Sequence, residues 1–317
     1  NTYTGTTTFA GGNLRAGVAE TAGTRGPFGT KTSVGALVFA GGTLQYSTAN
    51  AYDYSGRFST AAGQPVKIDT NGRDVTFATA LNSSGGTLSK YGSGTLTLSA
   101  VNTYSGITTV AGGTLALDYN GSIANSPTIL VGAAGTFDVM GKGYYGMTLA
   151  ANQEIKGDGI VNGDILLGDG SVISPGTNVG VLSFDGNLVL SPTTVFNFQL
   201  GSPDYPGTSY DQLRMLVTNF GFLDLGMGII NFSNFNFTAL PGFAEGTYTL
   251  FDCPFGTAGW LGSSLDGWIG SNPATLEFSG ASVMLNVATA VPEPGTVALL
   301  AVAGLAAAAT VLRRRRR

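Results

Sequence analysis

Residues 1–14 and 102–115 are one segment written twice. Asn1-Thr2-Tyr3-Thr4-Gly5-Thr6-Thr7-Thr8-Phe9-Ala10-Gly11-Gly12-Asn13-Leu14 agrees with Asn102-Thr103-Tyr104-Ser105-Gly106-Ile107-Thr108-Thr109-Val110-Ala111-Gly112-Gly113-Thr114-Leu115 at 10 of 14 positions. A chain that repeats itself in this way folds as a stack of small units, none of which can bury its apolar face alone. Shorter echoes occur at Gly41-Gly42-Thr43-Leu44, Gly85-Gly86-Thr87-Leu88, Gly94-Thr95-Leu96 and Gly135-Thr136-Phe137. Gly94, Gly113 and Gly135 each open a Gly-Thr-apolar strand, at intervals of 19 and then 22 residues. That is the length of one parallel β-solenoid coil of two or three short strands. Thr95-Leu96-Thr97-Leu98 and Thr114-Leu115-Ala116-Leu117 alternate with period two. The alternation places Leu96, Leu98, Leu115 and Leu117 inside and Thr or Ala outside.

Composition agrees with an all-β chain. Of 317 residues 49 are Gly and 11% are charged, against about 7% and roughly 25% in an ordinary domain. A 43% hydrophobic content argues against disorder. Gly and Asn suit corners where φ turns positive.

The segment 92–117 joins a Gly-Thr-Leu strand, an Asn-Thr-Tyr-Ser-Gly turn and a Thr-Thr-Val-Ala-Gly-Gly-Thr-Leu strand pair. It is similar to the autotransporter-associated β-strand repeat, a passenger-type repeat. The resemblance implies a right-handed parallel β-helix displayed outside the cell. Autotransporters finish in an outer-membrane β-barrel, whereas this sequence runs into one apolar stretch and an Arg run. The repeat is therefore expected here without self-export. The sequence starts inside a repeat unit with no Met and no secretory leader, so a signal peptide is expected in the precursor.

Four regions follow: repeats over 1–120, further coils over 121–200, β-rich coils and a cap over 201–290, and a distinct tail over 291–317. In the third region Phe232, Phe235 and Phe237 alternate with polar residues and are expected on one strand face. They form either the core of the last coils, the simpler reading, or an aromatic strip for a carbohydrate or partner.

The tail has three parts. Val291-Pro292-Glu293-Pro294-Gly295 is stiff and non-helical. Residues 296–312 carry no charge and predict a helix about 26 Å long, at the short end of what crosses a bilayer. Arg313, Arg314, Arg315, Arg316 and Arg317 follow directly, which argues against a buried core helix. They orient the span with its C-terminus cytoplasmic and the body outside. The Gly304/Ala308 spacing is a weak helix-packing signal in so Ala-rich a stretch. This order of parts resembles the PEP-CTERM sorting domain of bacterial surface proteins. The resemblance implies a membrane-embedded exosortase that recognises Pro292, Glu293 and Pro294 as a substrate signal, on the surface of a Gram-negative-type bacterium.

Several chemistries are disfavoured. The chain has no His, which removes His bases and His metal ligands. Cys253 is the single Cys and is expected to be a packed or half-exposed thiol. Without the terminal Arg run, 10 basic and 19 acidic residues remain, a net charge of −9 that suits no nucleic acid. Asp158, Asp164 and Asp169 stand beside Gly. Such residues either make turns, the simpler reading, or hold calcium on solenoid corners. No carboxylate pair stands out and no cofactor is expected. The sequence thus points to a non-enzymatic, exported structural or adhesive protein, anchored in the inner membrane until an exosortase processes it. Exopolysaccharide is its suggested neighbour. The alternative is a secreted polysaccharide lyase or hydrolase.

Overall fold

A computed structural model describes residues 1–144, 146–216, 218, 221–227 and 229–290. Their regular elements are β-strands and three-residue 3-10 turns. One sheet has ten strands in parallel order. These are Asn13–Arg15, Thr43–Gln45, Pro65–Asp69, Thr87–Tyr91, Thr108–Val110, Thr128–Val131, Glu154–Gly157, Val172–Pro175, Val195–Leu200 and Phe235–Ala239. A second sheet has eleven strands. It runs from Val75–Phe77 through Thr95–Leu98, Gly113–Leu117, Gly135–Asp138, Ile160–Asn162, Val181–Asp185 and Gln212–Met215 to Gly246–Asp252. From Met147–Leu149 onward a third, five-stranded sheet joins them and ends at Thr257–Trp260. Each strand pairs with its counterpart one coil later, the arrangement of a β-solenoid-like stack.

The register reproduces the repeats. Gly113 lies opposite Gly135, Thr114 opposite Thr95, and Leu115 and Leu117 opposite Leu96 and Leu98. Parallel in-register pairing therefore stacks like on like. One inner column reads Leu96, Leu115, Phe137, Val161, Phe184, Met215, and every member is buried. Each such side chain contributes about 1.5–3 kcal/mol by leaving water. A second column begins with rings: Phe9, Phe39, Phe58 and Phe77 follow one another at centroid distances of 4.7, 5.0 and 5.3 Å. Phe77 then passes the column to Leu98.

The duplicated segment does not occupy the same face twice. Thr108–Val110 belongs to the ten-stranded sheet and Gly113–Leu117 to the eleven-stranded one. In the first copy Thr7–Phe9 pairs with Leu37–Phe39 in a separate two-stranded sheet, and Asn13–Arg15 is the edge of the ten-stranded sheet. Both copies keep the Tyr-Thr contact four residues apart, Tyr3 with Thr7 and Tyr104 with Thr108. Burial differs: Leu115 is fully buried, whereas Leu14 is 40% exposed on its edge strand.

A loop over the first coils is held by a buried ion pair. Arg57 Nη1 donates to Glu20 Oε1 at 3.2 Å, and Arg57 Nη2 to the Phe28 carbonyl at 2.6 Å. At the other end the parallel order stops. Ser282–Val287 pairs antiparallel with Gly246–Asp252, then with Asn272–Ser279, which pairs with Asp266–Ile269. This hairpin sheet closes the stack.

The Phe232 expectation needs correction. Phe232 lies in the 3-10 turn Phe232–Asn234, and the strand starts at Phe235. Asn231 and Asn234 cap that turn reciprocally, and Asn234 Nδ2 donates to the Pro192 and Thr194 carbonyls. These bonds bend the chain before a strand can begin. All three rings pack on the core, with Phe235 buried and Phe232 and Phe237 partly so.

Leu115→Asp buries an unpaired carboxylate and should cost on the order of 4 kcal/mol, read as a fall in thermal midpoint. Leu14→Asp, the same change at the matching repeat position, should leave the midpoint nearly unchanged. Gly113→Ala should cost about 1–3 kcal/mol, because Gly113 has φ +64 and a Cβ there would stand 2.4 Å from the Gly92 carbonyl oxygen.

Candidate functional site

The three glycine-flanked aspartates lie at coil corners, and each bonds the residue one coil later. Asp158 Oδ2 accepts from Thr177 Oγ1 at 3.4 Å. Asp164 Oδ1 accepts from the Asn187 backbone N–H at 2.8 Å. Asp169 Oδ1 accepts from Ser191 Oγ at 3.1 Å and Thr193 Oγ1 at 3.4 Å. The structure does not gather the three. Asp164 shares a shallow cleft with Asp185, Gly163 and Gly186. Among the described residues no group of three His, Cys, Asp or Glu side chains is placed to hold a metal ion. The chemistry seen at Asp158, Asp164 and Asp169 is hydrogen bonding between coils.

Asp211 is a corner carboxylate that the sequence reading passed over. Its Oδ2 accepts the Gln199 N–H at 2.7 Å and its Oδ1 the Gly180 N–H at 2.9 Å. Burial pushes its pKa up to about 7, and the charge of Asp158 adds to that rise. The two N–H donors pull the other way. Asp211 follows Tyr210 at the end of a long loop, with no sequence pattern to mark it.

Two lysines perform the complementary task on carbonyls. Lys90 stands in an inner column between Ile68 and Val110. Its stem fills the core position, and its ammonium, buried with the rest of the side chain, is satisfied by carbonyls at the corner. There it donates to the carbonyls of Tyr91, Gly92 and Gly112 at 3.0, 2.8 and 3.0 Å. Burial lowers its pKa to about 8, against the opposing pull of Asp69 and Asp74. Lys142 donates to the Tyr119 and Gly121 carbonyls, both at 2.8 Å. Arg214 pairs with Asp252 at 3.1 Å near the surface, where such a pair is worth little. Cys253 is fully buried, and burial pushes its thiol up to about 12. It is protonated and inert at neutral pH.

The last described residues are tied to the body. The Ala288 N–H donates to the Pro273 carbonyl at 2.9 Å, and Asn272 Nδ2 donates to the Ala288 carbonyl at 2.8 Å. Thr289 Oγ1 donates to Glu245 Oε2 at 2.5 Å. Val291, Pro292, Glu293, Pro294, Gly295, the apolar stretch 296–312 and the five terminal arginines lie outside the described residues. Among the described residues no helix is long and apolar enough to cross a membrane.

Comparison with protein families agrees with both ends of this picture. The passenger-associated-transport repeat matches residues 1–16 and 88–117, ranges that contain the two copies of the duplicated segment. The PEP-CTERM protein-sorting motif matches residues 290–317. The chain carries both. No curated protein matches it.

Asp211 makes stability depend on pH with an unusual sign for a carboxylate. Its folded pKa, about 7, lies above the ordinary 3.8. Its contribution is fully present below about pH 4 and is lost as pH rises through about 7. The urea-unfolding stability of the wild type minus that of Asp211→Asn should therefore fall between about pH 4 and about pH 7. A difference that stays flat would remove this assignment.

Proposed function

We propose that this chain is a non-enzymatic structural or adhesive protein of the bacterial surface or extracellular matrix, with exopolysaccharide as its neighbour. The PEP-CTERM motif marks it as an exported protein handled by exosortase-type machinery. In this reading the coils wind right-handed, 296–312 spans the inner membrane, and the body stands outside with net charge −9 once the Arg run is discounted.

The observation that carries the reading is the order of strands and signal along the chain. The last described strand ends at Val287, and the sorting motif matches from residue 290. The capping hairpin is complete before the signal starts, so processing within the tail leaves every described strand in place. The non-enzymatic part is supported by how the corner groups are used. Asp158, Asp164, Asp169 and Lys142 each bind the adjacent coil. On the outer face one chain of hydrogen bonds runs across coils from Glu154 to Ser174, Asn197 and Asn236, at 2.7, 2.9 and 3.0 Å. These polar groups serve the stack itself.

Glu293→Ala should block processing, so that a larger, membrane-bound species accumulates. Truncation before Val291 should give secretion without sorting. Native extracellular protein that still carried Arg313, Arg314, Arg315, Arg316 and Arg317 by intact mass would sink the processing step. Clear turnover of an acidic polysaccharide, with or without calcium, would replace the structural reading by the lyase or hydrolase one.

A further inference from the structure

The two tryptophans of the 317-residue chain stand in the last coils and cap, Trp260 on the final strand of the five-stranded sheet and Trp268 on the hairpin sheet, 55% and 61% exposed. Trp is on average a well-buried residue, so two exposed copies at one end of a 43% hydrophobic chain need an explanation. Their position supplies one. Trp268 lies opposite Pro273 on the hairpin sheet, and the Pro273 carbonyl accepts the Ala288 N–H. Trp268 is therefore two strand spacings, about 10 Å, from Ala288, near the end of the described residues. The adjoining row, Gly267, Ala274 and Val287, turns to the core, with Ala274 and Val287 buried. Trp268 lies on the opposite, outward face. Trp260 ends the last strand of the five-stranded sheet, and only residues 261–265 separate it from the Trp268 strand.

The tether is short. Seven residues carry the chain from Thr289 to 296, the start of the apolar stretch, and they span at most about 25 Å. Once the tail is inserted, the cap is held at the bilayer surface at an effective concentration in the ~mM range. Even a weak preference for the surface then decides how the cap sits. Trp prefers the membrane–water boundary, where its ring is sheltered and its N–H is wet. Electrostatics does not compete for the role. Residues 245–290 contain Glu245, Asp252, Asp266 and Glu277 and no Lys or Arg, so anionic lipid repels this end.

We propose that Trp260 and Trp268 dock the C-terminal cap onto the headgroup region of the same bilayer that holds the tail, with zwitterionic lipid favoured over anionic. This rests on the membrane-anchored precursor proposed above. The docking limits the swing of the body about its tether while the sorting segment awaits processing.

The test uses the full chain in phosphatidylcholine vesicles containing lipid brominated near the headgroup end of its acyl chains. Retention of the chain in the vesicles under alkaline extraction reports tail insertion separately. The expected result is blue-shifted Trp emission that the brominated lipid quenches, in W260F and W268F as well as in the wild type. Quenching should weaken as phosphatidylglycerol replaces phosphatidylcholine. An inserted chain with red, unquenched emission overturns the docking and leaves the anchor standing. Emission that follows protein concentration instead of brominated lipid assigns the tryptophans to a second copy of the chain and also overturns it. A chain that alkali extracts from the vesicles overturns the anchor and the docking together.

Discussion

Parallel, in-register hydrogen bonding between successive coils is the constraint on which the rest of the molecule depends. It places each inner position on its own counterpart, so a side chain is judged by the residue one coil away. Leu115 is buried because Leu96 lies on one side and Phe137 on the other. Leu14, at the matching repeat position, pairs with Leu44 among the described residues and is 40% exposed. The stack also tolerates exceptions where a column passes a corner. Lys90 enters an apolar column because its stem is long enough to carry the ammonium to three carbonyls. Thr108 is buried because Tyr104 and Ser126 take up its hydroxyl.

Corners are the weak points of such a stack, since strand pairing lapses there and backbone groups lose their ladder partners. This protein repairs them mostly with neutral or singly charged groups from an adjacent coil. Asp164 accepts a backbone N–H, Lys142 donates to two carbonyls, and Gly94 and Gly113 allow the backbone of one coil to approach the next. A chain with 11% charged residues can satisfy corners this way because a single charge can meet several partners, as Lys90 and Lys142 do.

An open stack of parallel strands would leave its last edge unpaired. Here the chain reverses direction, and an antiparallel hairpin sheet extends the eleven-stranded face. The strongly basic end of the sequence, Arg313 to Arg317, follows a body whose net charge is −9.

Much of this was legible in the sequence for a physical reason. Period-two alternation and repeated Gly-Thr-Leu segments encode strand faces and coil spacing locally, so the inward positions of Leu96, Leu98, Leu115 and Leu117 could be read directly. The sorting motif could be read because its parts are contiguous. What pairing at a distance decides was not legible. No local pattern places Asp211 against Gly180, gives Lys90 an inner column, or bends Phe232 out of its strand. Nor could the sequence show that two matching segments occupy different sheets, because the face a strand joins is set by the coil already beneath it. The sequence by itself determined the repeating unit and the terminal signal. The tertiary structure decided which polar groups the stack consumes and which sheet each strand joins, because those depend on contacts about one coil, or some twenty residues, away.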